Sequence, residues 1–79
     1  MKWYDGVHVS YRFNGILGAY EFQASYETSE GWRNISPIYI GYKTMIEALE
    51  AANKKMPEFE HARIQDAQHL IVKYHCQQP

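Results

Sequence analysis

Residues 7–13 read VHVSYRF, in which Val7, Val9, Tyr11 and Phe13 alternate with His8, Ser10 and Arg12. A period of two marks a strand with one face buried and the other in water. Asn14-Gly15 follows, and both residues tolerate the positive φ of a tight hairpin turn. The next segment, ILGAYEFQASYE, places Ile16, Tyr20, Phe22, Ala24 and Tyr26 on one face and Glu21, Gln23, Ser25 and Glu27 on the other. A two-residue turn sets Phe13 opposite Ile16, Val9 opposite Tyr20, Val7 opposite Phe22 and His8 opposite Glu21. A four-residue loop at 14–17 keeps the same faces, so the turn type stays open; a one-residue slip would put the apolar set in water. Thr28-Ser29-Glu30-Gly31 reads as a turn, and WRNISPIYIGY, residues 32–42, as a third, less regular strand. Pro37 has no N–H to give to a ladder, which predicts an edge strand or a bulge there.

The period then changes. Thr44 is placed as the N-cap of a helix, with Glu47 at the capping-box spacing. Met45, Ala48, Leu49, Ala52 and Met56 share one helical face, Glu50 and Lys54 form an i,i+4 pair on another, and Pro57 predicts the stop. A helix this short is marginal alone in water, so it must lean on the sheet. Beyond it, Ala62 and Ile64 alternate with His61, Arg63 and Gln65. Leu70, Val72, Tyr74 and Cys76 alternate with Ile71, Lys73 and His75. Asp66-Ala67-Gln68-His69 between them suits a turn with His69 at positive φ, predicting a second hairpin that pairs Ile64 with Val72 and Ala62 with Tyr74. The expected order is βββαββ: an α+β fold, an antiparallel sheet of four to five strands with one α-helix on one face, in one domain over residues 1–79.

At 79 residues the core must be thin, since a chain of this size buries only roughly 60% of the surface its unfolded form exposes. Seven Tyr are more than such a core takes, which directs some of them to a surface of the kind that binds partners. Formal charge is −1, with eight Lys plus Arg against nine Asp plus Glu, so the net basicity of a typical nucleic-acid binder is missing. A single cysteine, Cys76, makes no internal disulfide. No apolar run resembles a signal peptide or reaches the ~18 residues of a membrane span, and a reducing cytoplasm is the expected location.

With one helix on one face, the other face is expected to carry His8, Ser10, Arg12, Glu21, Gln23, Glu27, Arg33, Tyr39, Arg63, Gln65, Ile71, Lys73 and His75. Cations gather there (Arg12, Arg33, Arg63, Lys73), whereas Glu47, Glu50, Glu58 and Glu60 lie on the helix side and its exit. The plain account of these charges is solvation of exposed strand positions. Three strands, the last ending Ile40-Gly41-Tyr42, before a helix with Glu47-Ala48 near its start, resemble the plant AP2 and integrase arm-type DNA-binding modules. The resemblance spans residues 7–56 loosely and about a dozen positions closely. It implies DNA contact through Arg and Trp on the sheet, here Arg12, Trp32 and Arg33. Glu21 and Glu27 depart from it, standing where that family is basic, and so does a hairpin after the helix.

The histidines, His8, His61, His69 and His75, have no zinc-finger spacing to one another or to Cys76, so neither a metal site nor any cofactor is expected. His8, His75, Arg12 and Lys73 would converge if the first and last strands were neighbours, an arrangement able to cleave RNA by general acid–base chemistry. No nucleophile elbow or phosphate loop accompanies them. The sequence thus favours a small non-catalytic module that uses its open sheet face, or an exposed strand edge, to bind a protein partner, with Arg12, Arg33, Tyr39, Arg63, Lys73 and His75 as the partner surface, of the kind phages and mobile elements use to block a host or defence protein. Nucleic-acid binding by the same face is the alternative, and a metal-independent ribonuclease the third reading.

Overall fold

The computed structural model describes residues 6–77, with side chains through residue 70. Strands β1 (His8–Asn14) and β2 (Ala19–Thr28) form an antiparallel hairpin with the alternation expected of them. The register lies four residues further along β2 than a two-residue turn would set it: Phe13 faces Tyr20 and Val9 faces Ala24. The turn chemistry explains the shift. Asn14 Oδ1 accepts hydrogen bonds from the backbone N–H of Ile16 (3.1 Å) and Leu17 (3.0 Å), and the Gly18 N–H donates to the Asn14 carbonyl at 2.8 Å. Gly18 closes the loop at φ +66°, a conformation that costs glycine nothing. An even shift preserves parity, so the buried and exposed faces are those the pattern predicts.

The third strand is broken in two. β3 (Gly31–Asn34) pairs with the far end of β2, and β4 (Tyr39–Tyr42) with its near end. Pro37 lies in the gap, as a residue without an N–H should. The Ser36 hydroxyl accepts the Ala24 N–H at 2.9 Å, and the Ile35 N–H donates to the Ala24 carbonyl at 3.0 Å, so β2 keeps its bonds across the break. Tyr42 faces Tyr20 while Ile40 faces Glu21, leaving Gly41 as the extra residue of a bulge at φ +113°.

Helix α1 (Met45–Gln77) begins where the capping box places it. The Glu47 N–H donates to Thr44 Oγ1 at 3.1 Å, and Glu47 Oε1 accepts the N–H of Thr44 (3.1 Å) and of Lys43 (3.0 Å). It does not stop at Pro57. Residues 61–76, expected as a second hairpin, continue the helix; His69 is helical, and among the described residues only glycines have positive φ. The architecture is therefore α+β, with a four-strand antiparallel sheet ordered β1-β2-β3, β4 also on β2, and one C-terminal helix. A mid-helix proline forfeits a hydrogen bond and costs about 3 kcal/mol. Pro57 is exposed, and the contacts of Phe59 and Asp66 beyond it offset that cost.

The core is a thin layer between α1 and β2. Phe22, 1% exposed, sits at its centre, with ring centroids 5.2 Å from Tyr39, 5.4 Å from Tyr42, 6.2 Å from Tyr11 and 6.4 Å from Phe59. Ala48 and Ala52 are fully buried, and their small side chains bring the helix backbone close to the sheet. Leu49, expected in the buried stripe, is 39% exposed, because the stripe runs through Ala48, Ala52 and Phe59 instead.

Removing the Phe59 ring by Phe59→Ala should cost roughly 3–5 kcal/mol, whereas Leu49→Ala should cost well under that range. Thr44→Ala should cost about 1 kcal/mol through the lost cap. Urea midpoints rank the three, and Leu49→Ala proving the most damaging would place a different helix face inward.

Candidate functional site: the open sheet face

The β1–β2 and β2–β3 registers decide which side chains look away from α1. His8, Ser10 and Arg12 on β1 face Ser25, Gln23 and Glu21 on β2, and Glu27 faces Trp32 on β3. Ile40 joins them opposite Glu21. Trp32 is 59% exposed and rests against the His8 imidazole, with ring centroids 5.3 Å apart. Ile38 and Ile40 are also exposed, at 50% and 41%. Between these apolar groups lies a polar floor, including a shallow hollow of about 280 Å³ lined in part by Ser10, Arg12, Glu21, Gln23 and Ile38.

Glu21 is 5% exposed although it points from the solvent side of the sheet. A carboxylate survives burial only if its lone pairs are occupied. Arg12 donates to Glu21 Oε2 through Nε (3.1 Å) and Nη2, and Asn14 Nδ2 donates to Oε1 at 3.1 Å. The Asn14 and Arg12 hydrogen bonds hold the carboxyl below its ordinary value. The Arg12 side chain remains 72% exposed, so a buried acid orients an exposed guanidinium. Gln23 is also pinned, donating Nε2 to the Ser36 carbonyl at 3.0 Å.

The sequence-based site is divided by the fold. Arg12 lies on the open face as expected. Arg33 and Tyr39 lie on the helix side: Arg33 is opposite Tyr26, and Tyr39 is opposite Phe22 with stacked rings. The irregular third strand gave no alternation by which to choose their parity, and partners behind the sheet decided it. Lys55 Nζ lies 4.5 Å from the Tyr39 ring centroid. Arg63 belongs to α1 and pairs with Glu60 at 3.0 Å, its side chain 13% exposed. Lys73 and His75 are also in α1, with side chains outside the described residues. The convergence of His8 and Arg12 with Lys73 and His75 needed a last strand, and residues 61–76 are helical. Trp32, Ile38 and Ile40 were not among the expected contacts of a protein partner; the exposed Trp was the one signal available for them.

Behind the sheet a second cluster ties α1 down. The Tyr26 hydroxyl donates to Asp66 Oδ2 at 2.6 Å, and Arg33 clamps the same carboxylate through Nε (2.6 Å) and Nη2 (2.9 Å). Burial first, and Asp66 second, push Tyr26 up to about 12, while the Arg33 hydrogen bonds and then the Tyr26 hydroxyl hold Asp66 below its ordinary value. Among the described residues no group of His, Cys, Asp or Glu could hold a metal ion, and no helix is long and apolar enough to cross a membrane. Comparison with known proteins finds no matching family model, no similar curated protein and no similar solved structure.

The Asp66 cluster has two pH limbs. Asp66, lowered on folding, contributes stability that is complete above its ordinary value of 3.8 and is lost as pH falls through the lowered one. Tyr26, raised on folding, contributes stability that is complete below 10.0 and is lost as pH rises through about 12. Asp66→Asn should lower the urea midpoint at neutral pH and make both limbs shallower. Identical limbs in the two proteins would show that the cluster does not titrate as described.

Proposed function

We propose that this chain is a non-catalytic binding module that receives a protein partner on the open sheet face, with Trp32 as the central contact. The observation that carries this reading is an exposed Trp beside His8 at one end of the face and exposed Ile38 and Ile40 towards the other, on a face whose Arg12 is occupied by Glu21. Aromatic and aliphatic groups around a polar floor, low in unpaired charge, are the composition of a protein interface. Trp and Arg are the residues that most often dominate such contacts. Holding Arg12 and Gln23 by hydrogen bonds lowers the ordering entropy a partner must overcome.

A second reading, duplex DNA on the same face, is favoured by two observations. The hairpin expected after the helix, which set the chain apart from the integrase arm-type pattern, is replaced by continuous helix, and Arg12 and Trp32 share the open face as that resemblance implies. Against it stand Glu21 on Arg12, Glu27 beside Trp32, and Arg33 turned to the helix side.

One pair of measurements separates the readings. Retention on immobilised duplex DNA at low salt should be absent; retention that falls steeply as salt rises would replace the protein reading with the DNA one. A protein partner captured by the native chain should bind Trp32→Ala at least roughly thirtyfold more weakly, the loss expected of a hot spot. Glu50→Lys with Glu58→Lys, both exposed on α1, should leave the affinity unchanged. Loss with the helix pair and not with Trp32→Ala would move the interface to α1.

A further inference from the structure

The two edges of the sheet are built differently. The β3/β4 edge consists of two short pieces interrupted at 35–38 by Pro37 and bulged at Gly41. Short strands, proline and bulges are the devices that keep a sheet edge from pairing with another chain. The β1 edge has none of them. It runs seven residues in unbroken register with β2, without Pro or Gly, and its only formally charged residue, Arg12, is bound to Glu21. Among the described residues nothing pairs with its outer side. Its helix-facing row is also incompletely covered. Val7, Val9 and Tyr11 are half-buried and Phe13 is 53% exposed, because α1 packs chiefly over β2.

The geometry points to a second copy of this chain as the occupant of that edge, paired β1 to β1 antiparallel about a two-fold axis normal to the sheet. The strand is self-complementary in the way such an axis demands. With the axis at Ser10, Val9 faces Tyr11 of the second copy and Val7 faces Phe13, while His8 faces Arg12 on the open side. With the axis at Tyr11, Val9 faces Phe13 and Ser10 faces Arg12. In both registers apolar groups meet apolar groups, and the two Arg12 side chains are never opposite each other. A formal charge of −1 per chain offers little long-range repulsion. Because the β3/β4 edge is blocked, association closes at two chains instead of continuing into a fibre. Both helices lie on one side of the joined sheet, and the two open faces become continuous. This inference does not depend on the identity of the partner proposed above.

Sedimentation velocity on the full chain across a concentration series, with reductant present to exclude cross-linking through Cys76, tests it. The expected result is a monomer–dimer equilibrium with no larger species, and amide exchange in β1 that slows as concentration rises. Ser10 is exposed, so Ser10→Lys should keep the monomer's melting curve. It places like charges together in either register and should weaken the dimer at least tenfold. Trp32→Ala should leave the dimer unchanged. A single-chain mass at every concentration, open-ended oligomers, β1 exchange independent of concentration, or a dimer indifferent to Ser10→Lys would each overturn the assignment. In the first case the edge would be open to a strand from another protein.

Discussion

Phe59 reaches the core only because the helix crosses Pro57. A chain of this size has one helix with which to cover a sheet, and the inner row of β2 is too long for a helix that ends at residue 56. Phe22 needs a ring from the helix side, and Phe59 supplies it at 6.4 Å while also lying 6.3 Å from Tyr39. Further along the same helix, Asp66 meets Tyr26 and Arg33, and a helix broken at the proline would leave that carboxylate to solvent. The local cost of the proline is thus outweighed by apolar burial and charge-assisted hydrogen bonds on its far side.

The same economy of material governs the charges. Arg12 is paired with Glu21, Arg33 with Asp66, and Arg63 with Glu60. Three of the four cations expected to form a basic face are therefore partnered by acids, and two of the three lie behind the sheet or on the helix. What remains on the open side is a polar floor with Trp32 exposed at one end and Ile38 and Ile40 towards the other. Under the proposed function, a partner of such a face would be selected by packing and by directed hydrogen bonds more than by long-range attraction.

The open face and the β1 edge are separate surfaces with a common origin. One helix covers β2 well and β1 poorly, so the sheet is left with a bare face and one half-covered margin. The β3/β4 margin is protected by Pro37 and the Gly41 bulge. Protection at one margin and its absence at the other is a property of the whole sheet and of no single strand.

Much of this fold was legible in local sequence. Strict alternation fixed the faces of β1 and β2, because parity survives any even shift of register; the capping box at Thr44 and Glu47 fixed the start of α1; and Pro37 marked the break in the third strand. Each is an interaction among near neighbours. The register of the hairpin depended on Asn14 and Gly18 closing the loop together, which the Asn-Gly pair alone did not reveal. The far half of α1 was hidden because Arg63 and Asp66 stand in its inward stripe, where apolar residues would have marked a helical period, while the alternation of Ala62 with Ile64 imitates a strand. Only with Tyr26 and Arg33 in place does an inward Asp66 become favourable, and only then does the helix continue. The faces of Arg33 and Tyr39 were settled in the same way, by partners distant in sequence, and so was the candidate site: tertiary contacts turned Arg33 inward and left Trp32 facing water.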